Sequence, residues 1–299
     1  MDQAEQLRNI IKKENTPQRP KARVITITSG KGGVGKSNVA INLAVQLRKL
    51  GQKVIILDAD FGLANIEIMF GTVPKHNLCD LIYQGKNIKE IITWGPMGVG
   101  FISGGSGISG MYNLSRDYLV YIIVNLAELD AIADTVIIDT GAGISNAVME
   151  FLVASGEVIL VATPEPTSIT DSYSLLKALN QHPRFSMENT LIEVVSNKVA
   201  SAEEGEQLFH KLNAVVARYL KLPLTYLGAV PQDQMLAQSV MQQSPVSLQY
   251  PGAKSVHAFE EIAALLTGQD GIPEATPRGM AAFFSHIIAG RKLEKTPQI

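Results

Sequence analysis

The sequence contains a single cysteine, Cys79, among its 299 residues. One thiol excludes an intramolecular disulfide, a CxxC redox pair and a metal or iron–sulfur site built from several cysteines of one chain. The sequence also lacks any apolar run close to the ~20 residues that a transmembrane helix needs. Its first 20 residues are polar and charged, unlike a secretory signal peptide. We therefore expect a soluble, cytoplasmic protein.

An excess of charge of either sign is missing as well. The 26 Lys and Arg residues against 28 Asp and Glu residues give a formal net charge of −2. This balance argues against a protein whose whole surface binds nucleic acid, and we expect no specific nucleic-acid partner. Any cationic function is therefore local. A chain of 299 residues is long enough for one large α/β domain with short extensions.

Short apolar runs alternate with helical patterns between residues 23 and 268. The runs are rich in Val and Ile and apolar at successive positions, which is typical of strands covered on both faces. They are VITIT, KVIILD, VGFIS, TVIID, EVILVAT, LIEVVSN and LTYLGAV. Strands alternating with helices in this way predict an α/β fold with a doubly wound, mostly parallel sheet and helices on both of its faces.

We divide the chain into three parts. Residues 1–20 hold a short amphipathic pattern that is stopped by prolines, and residues 21–268 hold the alternating strands and helices. Residues 269–299 begin with the Gly/Pro-rich linker and end in a last apolar pattern. The sequence thus predicts one central domain with a distinct segment at each end.

The stretch GKGGVGKS, from Gly30 to Ser37, lies between the first predicted strand and the first predicted helix. It has the form G-x-x-x-x-G-K-[ST] of a phosphate-binding loop, in which backbone N–H groups and a helix N-terminus surround the phosphates. Lys36 would neutralise the β- and γ-phosphates, and the Ser37 hydroxyl would coordinate Mg²⁺. A glycine-rich turn alone would not explain the lysine–serine pair. The predicted nucleotide-binding residues are Gly30, Gly32, Gly33, Val34, Gly35, Lys36, Ser37 and Asn38.

Three aspartates follow predicted strands and complete this site. Asp58 and Asp60 follow the second strand in KVIILDAD, and Asp139 ends a later strand in TVIID. Ligands of doubly wound sheets bind at the carboxyl ends of the strands, so these carboxylates should face the phosphates. We predict Ser37, Asp58 and Asp139 around the metal, with Asp60 orienting the attacking water. The alternative for each is a helix cap or a turn residue.

The lysine after the first glycine, the DAD and the DTGAG together resemble the deviant Walker A ATPases of the MinD/ParA family, over about residues 23–268. The resemblance implies a slow, Mg²⁺-dependent ATPase that converts ATP to ADP and phosphate and dimerises when ATP is bound. It implies that Lys31 reaches the phosphates of the partner subunit, as an arginine finger does elsewhere. It also implies adenine contacts by Asn197, Pro231 and Asp233, each of which could instead be a strand-end turn residue.

The C-terminal segment carries an apolar stripe flanked by basic residues. We predict that this stripe lies in a membrane interface as a reversible anchor, although a terminal helix packed on the body is the alternative. The stripe consists of Met280, Phe283, Phe284, Ile287 and Ile288.

The N-terminal stretch DQAEQLR resembles an element of flagellar relatives called FlhG or YlxH. In those relatives it activates a signal-recognition-type GTPase, FlhF. The positions that match are Asp2, Gln3, Ala4, Leu7 and Arg8. The resemblance further implies flagellar basal-body proteins as partners.

Taken together, these features predict an ATP-dependent, membrane-associating homodimer that regulates the number or placement of flagella. A partition or division-site ATPase of the ParA/MinD type is the alternative within the same fold. A metabolic ligase of the dethiobiotin synthetase type would require a second small substrate, and a scaffold would not require hydrolysis.

Overall fold

A computed structural model describes residues 21–60, 65–105, 116–268 and 279–291. One eight-stranded sheet forms its centre, in the order β3-β4-β2-β5-β1-β6-β7-β8. The strands are β1 (Arg23–Thr28), β2 (Val54–Ala59), β3 (Thr93–Trp94), β4 (Gly100–Ile102), β5 (Thr135–Thr140), β6 (Glu157–Ala162), β7 (Leu191–Val199) and β8 (Thr225–Pro231). Every neighbouring pair is parallel except β3 and β4.

Helices cover both faces of this sheet. They are α1 (Lys36–Lys49), α2 (Asn65–Phe70), α3 (Leu78–Tyr83), α4 (Ile88–Ile91), α5 (Arg116–Ala127), α6 (Asn146–Ala154), α7 (Pro166–Gln181), α8 (Ala202–Tyr219), α9 (Gln234–Met241), α10 (Val246–Gln249), α11 (Lys254–Gly268) and α12 (Met280–Arg291). The predicted doubly wound α/β fold is confirmed, and all seven predicted strands are present. The two-residue strand β3 at the sheet edge was not predicted.

The central strands are apolar on both faces because each face packs against helices. Every residue of β2, β5 and β6 is buried. Ile27 of β1 packs in one apolar cluster with α1 and α11, and Leu57 of β2 packs in another with α5 and α12. A third cluster joins Leu160 of β6 to α7 and α8. Neighbouring residues of one strand belong to different clusters, which explains why these strands are apolar at successive positions.

The chain order of the strands sets the position of the ligand site. Strand β1 is flanked by β5 and β6, and β2 lies beyond β5. The sheet therefore grows to one side through β2 and to the other through β6, which makes the carboxyl end of β1 a switch point where a crevice opens. The phosphate-loop sequence follows β1 directly, so it lies at this crevice.

The last helix, α12, packs on the body of the protein. The backbone N–H of Met280 donates to Oδ1 of Asp130 at 2.8 Å, and the ring of Phe283 stacks on that of Phe151 in α6 with centroids 6.0 Å apart. Nη1 of Arg184 donates to the carbonyl of His286 at 2.9 Å. Contacts near its first residue, along its middle and in its second half thus hold this helix in place.

The apolar stripe predicted to face a membrane is buried in protein in this structure. Met280, Phe283, Phe284 and Ile287 are each at most 4% exposed and belong to the same cluster as Leu57. The reason is that apolar residues at helical spacing indicate only that one face of the helix is removed from water. Burial of that face in protein and burial in lipid give the same pattern. The alternative weighed for this segment, a packed terminal helix, is the arrangement that the structure shows.

Some predicted residues lie outside the described part. The side chain of Ile288 does, and so does the whole N-terminal element of Asp2, Gln3, Ala4, Leu7 and Arg8. Within the described ranges, no helix combines the length and the hydropathy needed to cross a bilayer.

Candidate nucleotide site

The phosphate loop between β1 and α1 depends on glycine at two close approaches. A Cβ on Gly30 would lie 2.2 Å from the carbonyl carbon of Asp171 in α7, and one on Gly35 would lie 2.5 Å from Nδ2 of Asn197. Gly35 also has a φ of +98°, a left-handed angle that side chains disfavour. The loop is therefore packed tightly against α7 and the end of β7, which fixes its shape.

Lys36 begins α1 and points into the buried end of the sheet. It is only 8% exposed, and burial lowers its pKa while the nearby carboxylates of Asp139 and Asp60 oppose that shift. Because Lys36 is largely shielded from water, the two nearby carboxylates are the main groups that can balance its charge. This placement suits a group that neutralises an anion entering the crevice.

Asp58 and Asp139 are paired in register on the adjacent strands β2 and β5, and both are at most 2% exposed. Burial raises the pKa of Asp58 to about 8, and the neighbouring Asp139 adds to the shift. Burial likewise raises the pKa of Asp139 to about 7, although the nearby Ser37 hydroxyl and Lys36 lower it. Both carboxyls therefore hold a proton to a higher pH than an exposed aspartate does.

Asp139 meets the requirements of a metal-binding carboxylate better than Asp58 does. Both carboxylate oxygens of Asp139 are buried without a hydrogen-bond partner within bonding distance in the described part, while Ser37 stands close enough to affect its charge. Asp58 instead accepts bonds from the backbone N–H groups of Asp60 at 3.1 Å and Ile66 at 3.5 Å.

A divalent cation fits this donor set. The described residues contain no group of three or more His, Cys, Asp or Glu side chains that could hold a metal. Mg²⁺ commonly takes only one or two protein ligands and completes its shell with phosphate oxygens and water. Ser37 and Asp139 supply such a pair, whereas Asp58 is engaged with the backbone that leads into α2.

Asp60 lies beside the loop that follows β5. Its Oδ2 accepts a bond from Nδ2 of Asn65 at 3.3 Å, and a Cβ on Gly141 would be 3.3 Å from its Oδ1. Asp60 is thus between α2 and the DTGAG loop, close enough to Lys36 to affect its pKa. Its role in orienting water stays a prediction.

The second lysine of the loop is bound within its own chain. Nζ of Lys31 contacts the Glu165 carboxylate, and it donates to Oγ1 of Thr167 at 3.0 Å. Glu165 is the residue before α7, and Thr167 lies in its first turn. The sequence did not predict these partners, because they are more than 130 residues away along the chain. Both members of the ion pair are partly exposed, so the pair contributes little stability.

Two side chains at the end of β7 contact the phosphate loop. Nδ2 of Asn197 donates to the carbonyl of Val34, and Nζ of Lys198 donates to that of Gly33, each at 2.7 Å. Asn197 was predicted to contact adenine, and the structure places its amide against the loop backbone. Lys198 was not predicted, because nothing in VVSNK distinguishes it from an ordinary exposed lysine.

The other predicted adenine contacts are at the end of β8. Pro231 is the last residue of that strand, and Asp233 precedes α9. Oδ1 of Asp233 accepts from the N–H of Met235 at 2.9 Å, while Oδ2 accepts from the N–H and the hydroxyl of Ser255 at 3.0 and 2.8 Å. Asp233 therefore connects α9 to the start of α11, and its contact with a base stays a prediction.

Comparison with known proteins agrees with this geometry. The family model described as the CobQ/CobB/MinD/ParA nucleotide binding domain matches residues 25–246. The chain belongs to this family. It is an ATPase of the MinD/ParA type, as its motifs indicated.

Two curated relatives match over nearly their whole length. The chain is 39% identical to the antiactivator FleN of Pseudomonas aeruginosa, over 88% of this chain and 91% of FleN. It is 32% identical to the flagellum site-determining protein YlxH of Helicobacter pylori, over 96% of this chain and 98% of YlxH. Among solved structures, the septum site-determining protein MinD of Pyrococcus horikoshii, complexed with Mg-ADP, has a TM-score of 0.65 and 23% identity, covering 85% of this chain and 99% of MinD. That likeness concerns the fold.

The raised carboxyl pKa values predict an unusual pH dependence of the nucleotide-free protein. Folded-state pKa values of about 8 for Asp58 and about 7 for Asp139 exceed the unfolded value of about 4. Their contribution to stability is therefore complete below the unfolded pKa and is lost as the pH rises through 7 and 8. The free energy of unfolding, measured by urea denaturation in EDTA, should fall between about pH 4 and pH 8.

The variant Asp58→Asn should flatten this fall, because it removes one buried acid and eases ionisation of its neighbour. Asp134→Asn is the matched control, since Asp134 is exposed and caps the backbone N–H of Lys53 away from the crevice. The lowered pKa of Lys36 makes stability rise with pH instead of fall. The test therefore compares the pH slopes of the two variants rather than the slope of one protein. Identical slopes for Asp58→Asn and Asp134→Asn would contradict the assignment.

Proposed function

We propose that this ATPase is a dimerising, membrane-associating switch that regulates the number or placement of flagella. The observation that carries the proposal is the phosphate loop with two lysines in different settings. Lys36 is buried beside Asp139, whereas Lys31 is at the surface with its amine on an exposed glutamate. One lysine serves its own nucleotide, and the other is available to a second molecule. The flagellar assignment rests on the similarity to FleN and YlxH.

The substrates are ATP and water. The N–H groups of the phosphate loop and the ammonium of Lys36 bind the phosphates, and Asp60 orients the water for attack on the γ-phosphate. Ser37 and Asp139 would hold Mg²⁺, which neutralises charge on the β- and γ-phosphates when it is bound. Asp58 holds the backbone of Asp60 in place through the bond to its N–H.

Dimerisation depends on the weak ion pair between Lys31 and Glu165. Exposed ion pairs contribute little to stability, so moving the Lys31 amine away from Glu165 costs little. In the interface between two protomers, the same ammonium would meet a phosphate with less water around it, where attraction is stronger. ATP is then both the substrate and a bridge between two copies, and its hydrolysis returns Lys31 to Glu165.

Membrane association uses the C-terminal helix. Helix α12 packs on α6, and α6 begins directly after the loop of residues 141–145, which follows β5 at the crevice. A change in that loop on ATP binding can therefore loosen α12 and free its apolar stripe. One such helix binds lipid weakly, whereas two on one dimer bind far more tightly through effective concentration. The protein would then cycle between the cytoplasm and the cytoplasmic face of the membrane.

The N-terminal element would carry a separate activity. By its similarity to the flagellar relatives, DQAEQLR would stimulate the signal-recognition-type GTPase FlhF, with Gln3 as the polar group that enters the partner's active site. Flagellar basal-body proteins are further partners in this proposal. A specific nucleic-acid ligand is not part of it.

Lys31→Ala should abolish ATP-induced dimerisation while leaving nucleotide binding within about threefold of the unchanged protein, because an exposed lysine adds little to binding in its own subunit. Light scattering with ATP gives the mass, and a fluorescent nucleotide gives the affinity. Lys36→Ala is the comparison, since it should lose binding and dimerisation together. A Lys31→Ala protein that still doubles its mass with ATP would refute the trans role.

Replacing Phe284 with Asp should separate release of the C-terminal helix from membrane binding. A carboxylate at this buried position opposes docking, so backbone amides of residues 279–291 should exchange faster with deuterium. The same charge opposes insertion into lipid, so co-sedimentation with anionic liposomes in ATP should fall at least tenfold. Ser285→Asp is the control, because Ser285 is exposed on the same helix. Liposome binding that survives in Phe284→Asp would rule out this surface as the anchor.

Deleting residues 1–20 should remove the stimulation of GTP hydrolysis by FlhF while leaving ATP binding intact. The reason is that the contacts described around the phosphate loop come from residues after β1, in α7 and at the end of β7. Gln3→Ala in the full chain is the finer test, with Gln6→Ala in the same element as its control. Equal GTP turnover with the full and the shortened chain would disprove the assignment.

A further inference from the structure

Lys198, the residue after Asn197, has a backbone conformation that a side chain disfavours. Its φ is +58°, one of four left-handed values at non-glycine residues in the described ranges. It falls where the ladder between β7 and β8 is irregular, between Asn197 and Val199. A residue with a Cβ loses stability in this region, whereas glycine adopts it freely. Lysine at such a position points to a contribution from its side chain.

The left-handed turn directs two neighbouring side chains to one target. In a regular strand, successive side chains point to opposite faces of the sheet. Here both Asn197 and Lys198 reach the phosphate loop, and they bind the consecutive carbonyls of Val34 and Gly33 at the same distance of 2.7 Å. The irregularity at the end of β7 thus produces a pair of donors matched to two successive peptide groups.

Holding these carbonyls also sets the direction of the next N–H groups. In a planar trans peptide, the C=O and the N–H point in opposite directions. The amides of Val34 and Gly35 therefore point away from the side chains of Asn197 and Lys198. They lie just before the N-terminus of α1, where helices bind anions. Because these amides are oriented before the nucleotide arrives, binding requires less ordering of the loop.

We propose that Lys198 is a positioning residue of the ATPase. Its amine holds the Gly33 carbonyl, so that the Val34 N–H faces the phosphates, and it acts through the loop without touching the nucleotide. The left-handed backbone is what allows it to share this task with Asn197. This role concerns nucleotide binding by a single protomer and is independent of dimerisation and of membrane binding.

The test is the affinity of nucleotide-free protein for a fluorescent Mg-ADP analogue. Lys198→Met keeps the length of the side chain and removes the donor, and it should weaken binding about fivefold, as expected for one exposed hydrogen bond. Lys198→Arg keeps a donor and should recover most of the affinity. Lys221→Met is the matched control, because Lys221 is also an exposed lysine with a left-handed φ, of +54°, that follows α8.

Salt distinguishes an effect of Lys198 on the orientation of the loop from direct electrostatic attraction between Lys198 and the phosphates. The pull of a surface charge on phosphate is screened in about 0.5 M salt, whereas a loop held in the wrong orientation stays impaired. We expect the fivefold difference between Lys198→Met and the unchanged protein to persist there. The proposal is overturned if Lys198→Met binds normally, or if its defect disappears in high salt. It is also overturned if nucleotide-free Lys198→Met is less heat-stable than Lys221→Met by enough to explain the weaker binding.

Discussion

The structure is organised around the cost of burying charge at the carboxyl ends of its central strands. Lys36, Asp58 and Asp139 lie where an apolar sheet meets a crevice, and their own mutual attraction does not fully compensate for lost hydration, as their shifted pKa values show. Buried charges that lack full compensation favour binding of a charged ligand, because the ligand supplies the opposite charges that the protein does not. The tight packing of Gly30 on α7 and the contacts from β7 then fix where that ligand lies.

The crevice is linked by contacts to the start of α7 and to the C-terminal helix. Lys31 and Glu165 join the phosphate loop to the start of α7, and the loop after β5 continues into α6, on which α12 rests. The first connection is a weak contact at the surface. The second is a helix that begins directly after a loop of the site. Such links can respond to a bound phosphate without disturbing the three apolar clusters that pack against the sheet.

Sequence patterns predicted the sheet and the phosphate loop because both depend on local chemistry. A strand buried on both faces has to be apolar at successive positions, and a loop that approaches phosphates requires glycine and lysine at fixed spacing. Contacts between distant segments left no such signal. Glu165 and Lys198 look like ordinary surface residues in the sequence, and only the fold brings them to the loop. For the C-terminal stripe, periodicity identified the buried face correctly but not the surface that covers it.

The buried stripe of α12 has a consequence for genetic studies of this protein. If a residue such as Phe283 packs against Phe151 at one stage and against lipid at another, a substitution there impairs two opposing states at once. Loss and gain of membrane association could then arise from neighbouring codons, according to which state suffers more. The phenotype of a single variant in this helix would report a balance between two affinities rather than the strength of either one.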